Sequence, residues 1–355
     1  MRLWNRQWTR KELIERVGAL SQLGGISHVE YADGKAKGVN ALRVRTAVGL
    51  EFEVLPDRGM DIVAASYHGK SLSWHSPVGI AHPAYYDPRG IEWVKSFSGG
   101  LLTTCGLNTA GAPSTEDGEE LGLHGAASNT PAEHLTWEAR WEGDECTLTI
   151  TGAVREAWVH GPNLLLTRTY TAAINGRTIS VHDSVENEGV RDTPLMLIYH
   201  LNFGFPLLTE RSRVYAPSRK VEPRNEYSTL SHERWSEFEA PTMGIQERVY
   251  FHQMEPDASG NVTVVLASDE NRHFGVAVRY NARSFPQFIE WKMTGVNHFV
   301  LGLEPANCRV DGRASERRAG RLKILAPGEK ENFSLSLQVL DGEQEVAEAI
   351  KASGH

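Results

Sequence analysis

The chain has 355 residues, 40% of them hydrophobic and 23% charged, with 33 glycines, 16 prolines and a formal net charge of -8. That length exceeds a typical domain of roughly 100 to 200 residues, so it allows two domains or one large β architecture, and the many turn formers favour the second. The acidic balance, with no basic stripe to neutralise phosphates, excludes a general nucleic-acid binder, and no stretch reaches the roughly 18 apolar residues of a membrane span.

The N-terminal segment lacks an apolar core and a small-residue cleavage site, so no secretory signal is expected. Cys105, Cys146 and Cys308 lie far apart, which fits reduced thiols in a cytoplasmic protein better than a disulfide framework. Two matches to the glycosylation pattern, at Asn261 and Asn332, are read as chance for the same reason.

Thr9 and Glu12 have capping-box spacing, and Leu13, Ile14, Val17 and Leu20 follow on one face, which predicts an amphipathic helix over residues 9–21. Alternating apolar residues then predict strands over 41–48, 50–55 and 61–65. Between the last two stands Arg58, next to Gly59. It either reaches out to ligand hydroxyls or pairs with Asp57 or Asp61.

Residues 74–131 read as a long irregular segment in which Trp74, His75, His82, Tyr85, Tyr86, Trp93 and Phe97 crowd together. Such segments are commonly binding loops, and rings interleaved with hydrogen-bonding groups suit the apolar faces and hydroxyl edges of a sugar. Aromatics filling a secondary core under the loop would look the same. His124, before Gly125, closes the segment with Asn129 and Glu133 nearby.

Strand patterns return at 147–154, 163–170 and 178–185, with Asn175-Gly176 as a hairpin signal between the last two. An apolar run from Pro194 then delivers His200, with Asn202 two residues on and therefore on the same strand face. His200 is either a satisfied core histidine or a working group. Further strands are expected at 248–252, 261–266, 273–279, 287–292 and 333–340, and a short helix at 346–351. In the run Val300-Leu301-Gly302-Leu303-Glu304-Pro305, a buried strand presents a carboxylate just before a proline that should end the ladder. That placement suits a general base, or merely an acidic strand cap. No Pro-, Gly- or Ser-rich linker divides the chain, so residues 1–355 are expected to form a single domain: an all-β, large antiparallel sandwich with a short N-terminal helix.

With Gly302-Leu303-Glu304-Pro305, Tyr199-His200-Leu201-Asn202-Phe203 and His124-Gly125 in this order, the chain resembles the aldose 1-epimerase (galactose mutarotase-like) superfamily over about residues 30 to 340. The resemblance implies a β-supersandwich with a sugar site on one concave sheet face. It implies Glu304 as the base at the anomeric hydroxyl and His200 as the acid at the ring oxygen. Arg58 and His124 match sugar-contacting positions, Asn202 accompanies His200, and His252, Gln287 and Lys292 align more loosely as substrate-binding residues. Where the family usually carries a Thr-Asn pair before the acid His, this chain has Ile198-Tyr199, so the sugar is not assumed to be galactose or glucose. The expected partner is a monosaccharide or modified sugar, with no metal or organic cofactor, no nucleic acid and no membrane; a homodimer is left open. The alternatives are a carbohydrate-binding protein without turnover, or an epimerase or lyase acting at another sugar carbon. No His-Glu-X-X-His, Cys-X-X-Cys or Gly-X-Ser-X-Gly motif supports metal or serine chemistry.

Overall fold

The structure, a computed structural model, describes residues 1–268 and 273–355. Among these, two large antiparallel sheets carry the fold. The twelve-stranded sheet runs Ser218–Pro223, Arg248–Met254, Gln287–Gly295, His298–Ala306, Thr193–Phe203, Leu102–Leu107, Asp61–Tyr67, Leu50–Leu55, Asn40–Arg45 and Gly25–Glu30, with Lys70–Ser71 and Lys323–Leu325 paired off this path. The eight-stranded sheet runs Ala132–Glu142, Glu145–Ala157, Asn163–Ala173, Thr178–Asn187, Lys330–Asp341, Phe274–Asn281, Asn261–Ala267 and Arg213–Tyr215.

Alternation builds the eight-stranded sheet. In Asn163–Ala173 the residues Leu164, Leu166, Arg168, Tyr170 and Ala172 are buried while their neighbours are partly or fully exposed, so one face is apolar and the other wet. The expected hairpin at Asn175-Gly176 joins it to Thr178–Asn187. Its apolar face meets that of the larger sheet, and Leu148, Leu166, Val181, Val278 and Leu337 share one core with Val44, Phe52, Leu201, Leu301 and Leu303.

A polar contact also links the sheets. Buried Arg168 pairs with Asp183 at 2.6 Å, donates to Thr104 Oγ1 at 2.6 Å, and lies 3.6 Å from Asp61, while the Tyr199 hydroxyl donates to Asp183. These groups satisfy one another where no water reaches, which a buried charge requires.

The larger sheet is covered on both faces near its centre. In Thr193–Phe203, Leu195, Leu197, Tyr199, Leu201 and Phe203 enter the main core. Met196 and Ile198 point the other way, into a second apolar cluster with Trp93, Cys105, Val249, Phe251, Ile289 and Ala306. His200 and Asn202 share that outer face by parity.

Three departures from the expected elements are informative. The N-terminal helix spans only Arg10–Ile14: the capping box at Thr9 and Glu12 forms, but only Leu13 is buried within the helix, and Leu20–Gln22 is a separate 3-10 turn. Leu102–Leu107, expected to belong to an irregular segment, is a central strand; all six residues are buried, so no alternation marked it. Pro305 does not end its strand, which continues to Ala306 and pairs Pro305 with Phe288. On the other side the ladder bridges Leu201 to Leu303 and Ile198 to Ala306 and skips the residues between, where Pro305 has no N–H to offer.

Candidate active site

The register that brackets this gap sets His200 opposite Glu304 on neighbouring strands, both on the outer face. Their side chains meet, His200 Nε2 lying 3.3 Å from Glu304 Oε1. Gly302 makes room for the contact: a Cβ there would come within 2.9 Å of Glu304 Oε1, 3.0 Å of Trp291 Cβ and 3.1 Å of His200 Cε1.

Both groups are deeply placed, His200 at 6% and Glu304 at 1% exposure, yet both line a cavity of about 340 Å³. That volume is at the low end of ligand pockets, roughly 300 to 1,000 Å³. Its walls include Trp93, Phe97, Trp291, His124, Arg224 and Glu247. A larger groove of about 790 Å³ lies farther along the same face around Arg43, Glu53 and His75, but its main charged contact is the Arg43–Glu53 ion pair at 2.7 Å, with no acid and base poised together.

Burial sets the electrostatics. It pushes the Glu304 carboxyl up to about 8, helped by Glu247 and opposed by Arg224. It pushes the His200 imidazole down to about 4, with the Asn202 side chain acting against the shift. At neutral pH the pair therefore holds one proton between Glu304 and the facing His200 nitrogen, and burial favours the uncharged arrangement with that proton on Glu304. Glu304 Oε2 is buried without a hydrogen-bond partner among the described residues, so it has capacity left for a ligand or water.

His124 joins this pair. Its ring lies 6.0 Å from that of His200 and 4.8 Å from that of Trp93, and its Nδ1 is also unpartnered. Burial lowers its pKa to about 3, with His200 and Arg224 adding to the shift, so it is a neutral hydrogen-bonding group at working pH. Gly125 permits the approach: with φ +71, a Cβ would come within 2.4 Å of the Gly106 and Thr109 carbonyl oxygens.

The remaining expected site residues are placed differently. Asn202 shares the outer face but is wholly buried outside the cavity lining, with its Nδ2 donating to the His200 carbonyl oxygen at 3.0 Å. Gln287 is also on this face, opposite Ala306, but accepts from Arg309 at 3.2 Å and does not line the cavity. Arg58 does not line the cavity and, among the described residues, makes no direct ion pair with Asp57 or Asp61. Its guanidinium donates to the carbonyl oxygens of Ser128, Ala81 and Ser96 at 2.7, 2.6 and 2.8 Å, pinning three turns of the long loop segment.

His252 and Lys292 are corrections. His252 pairs with Phe288, and Phe288 belongs to the inter-sheet core, so both residues project through the opposite face of the sheet. There His252 Nε2 lies 3.3 Å from buried Glu290, and Lys292 Nζ donates to the carbonyl oxygens of Arg234, Trp235 and Glu237 at 3.0, 2.9 and 2.7 Å. An ammonium so enclosed holds loop backbone in place and cannot meet a ligand in the cavity.

Two charged cavity residues escaped the sequence reading. Arg224 follows the strand Ser218–Pro223 and pairs with Asp311 at 2.9 Å, and Glu247 accepts from Trp291 Nε1 at 2.8 Å just before the strand Arg248–Met254. Neither stands in a motif, so only the fold could reveal them. Among the described residues no three His, Cys, Asp or Glu side chains gather in a metal-binding arrangement, and no helix is long and apolar enough to cross a membrane.

An antiparallel supersandwich with its polar pair on the outer face of the larger sheet is the galactose mutarotase-like fold, and solved structures agree. One from Klebsiella pneumoniae, provisionally described as an aldose 1-epimerase, matches with 27% identity and a TM-score of 0.88 over 93% of this chain and 86% of that one. A galactose mutarotase-like protein from Clostridium acetobutylicum (14% identity, TM-score 0.61, 90% of this chain and 99% of that one) shares the fold. So does a galactose 1-epimerase from Lactobacillus acidophilus (13%, 0.57, 90% and 99%). The chain itself belongs to the family described as a domain of unknown function, DUF4432, whose model matches residues 36–339. None of the curated proteins searched matches the sequence.

Proposed function

We propose that the protein is a mutarotase, interconverting the anomers of an aldose or modified sugar by opening and closing its ring. The observation that carries this reading is the 3.3 Å contact between His200 and Glu304 at the wall of a sugar-sized cavity. Ring opening removes a proton from the anomeric hydroxyl and delivers one to the ring oxygen as the bond from the anomeric carbon to that oxygen breaks. The aldehyde rotates about the adjacent carbon bond, and closure on its other face returns both protons.

A pair with one shared proton contains the donor and the acceptor this cycle needs. In the charged form Glu304 accepts from the anomeric hydroxyl while His200 donates to the ring oxygen. Opening leaves Glu304 protonated and His200 neutral, the arrangement burial favours, and closure runs the transfers backwards. Transfer from Glu304 to His200 across the 3.3 Å contact forms the charged pair from the resting uncharged one before opening. His124 supplies a neutral hydrogen bond to a sugar hydroxyl, and Trp93, Phe97 and Trp291 cover the ring faces. In this reading residues 1–355 work as one domain, and the three free, buried cysteines support a reducing, cytoplasmic setting.

NMR exchange spectroscopy on a panel of aldoses tests the proposal. Glu304→Gln and His200→Ala should each lower anomer exchange by about 10² to 10⁴-fold while the proteins stay folded. Wild-type exchange in either variant would remove the mechanism. Sugar signals perturbed by the wild type without faster exchange would make it a binding protein instead.

A further inference from the structure

We propose that the substrate is a reducing sugar longer than one ring, and that Trp74 forms the platform for its second ring; this rests on the mutarotase reading. A second cavity of about 360 Å³ adjoins the one that holds His200 and Glu304, and the two share Val94, Phe97, Glu247 and Trp291. Trp74, Val78 and Met293 line the second cavity only.

Trp291 is the partition. Its ring lies 5.3 Å from that of His200 on one side and 6.4 Å from that of Trp74 on the other, and its Nε1 is anchored on Glu247 at 2.8 Å. Glu247 is exposed, so its carboxylate can also accept from ligand hydroxyls at the common rim. Val94, at the seam, is 44% exposed, and Trp74 is only partly buried. A single ring seated over the acid–base pair would leave this aromatic surface open to water. A second pyranose presents the apolar face that matches it and the hydroxyl edge that matches Glu247.

Chemistry fixes the polarity of such a ligand. Mutarotation needs a free anomeric hydroxyl at His200 and Glu304, so the second ring must be joined through another hydroxyl of the first. The reducing end therefore occupies the inner cavity and the non-reducing ring the outer one. A glycoside blocked at its anomeric carbon would bind without turnover.

The test compares exchange of D-glucose with that of maltose, cellobiose, lactose and gentiobiose, all of which carry glucose at the reducing end. At least one disaccharide should exceed glucose in kcat/KM by about tenfold, the scale of one good aromatic contact. Trp74→Ala should bring that sugar down to the glucose value and leave glucose itself unchanged, and Trp74→Phe should restore most of the difference. Val78→Trp, which fills the outer cavity and keeps Trp74 in the sequence, should do the same as Trp74→Ala if that variant folds poorly. No disaccharide above glucose, or equal losses on both sugars in the variants, would overturn the proposal. If the wild type exchanges none of the sugars, the mutarotase reading fails on its own, and tryptophan fluorescence titration with the same panel decides the second ring. A disaccharide bound about tenfold more tightly than glucose, with the difference lost in Trp74→Ala, upholds the outer subsite; equal affinities reject it.

Discussion

A proton shared by a buried imidazole and a buried carboxyl is vulnerable at both ends of the pH scale, and the two shifts set the limits. Above about 8 Glu304 gives up its proton and the pair has nothing to donate; below about 4 His200 gains a second one and the pair has nothing to accept with. The rate of anomer exchange should therefore be bell-shaped in pH, with limbs near those values that belong to the pair as a unit. A monotonic profile would contradict a one-proton mechanism. Stability follows with a definite sign. Because Glu304 keeps its proton in the folded state to about 8 while the unfolded chain releases it near 4.5, folding loses free energy as pH rises between these values. Glu304→Gln should remove that loss, so denaturant midpoints at pH 5 and pH 9 should show the variant gaining a few kcal/mol on the wild type only at the higher pH.

Within the strands, Gly302 is the position where the smallest change reaches furthest. A methyl group at Gly302 intrudes among Trp291, Glu304 and His200, whose side chains can yield by tenths of an ångström without breaking the ladder. Gly302→Ala should cut kcat by about 10- to 100-fold through misplacement of the pair while the melting temperature shifts by only a few degrees. Unchanged turnover would show that the contact geometry is not limiting. The pair itself was legible in the sequence because each member follows an apolar run, and alternation correctly put Asn202 on the face of His200. What the sequence could not supply was which face. His252 and Lys292 occupy strands as convincing as that of Glu304, but only the pairing with Phe288 and Leu301 shows that they enter the core side. The bonds of Arg58 were hidden for another reason: the three carbonyls it holds lie 23, 38 and 70 residues away along the chain.

For the molecule as a whole, the sandwich was readable where one sheet face is wet, as in Asn163–Ala173 and Thr178–Asn187, and obscured where both faces are covered, as in Leu102–Leu107. The joint between the sheets was invisible for a related reason, since nothing local distinguishes Arg168 from the surface arginines. Its removal is a test of how far the two layers depend on it. Arg168→Met leaves buried Asp183 without its cation and should cost about 3 to 5 kcal/mol in denaturant unfolding. The double variant Arg168→Met with Asp183→Leu should recover much of that loss. No recovery would mean that the pair positions Tyr199 and Thr104, and through them the strand of His200, beyond balancing its own charges.

The loop joining Gln287–Gly295 to His298–Ala306 has only two residues, Val296 and Asn297, and Asn297 takes the left-handed conformation with φ 65. Its length acts as a ruler. Side chains change sides at every step along the strand that follows, so one added residue that shifts the register would present Leu303 to the cavity and drive Glu304 into the hydrocarbon interior. A tight two-residue hairpin thus decides, by counting alone, on which surface the carboxyl group emerges.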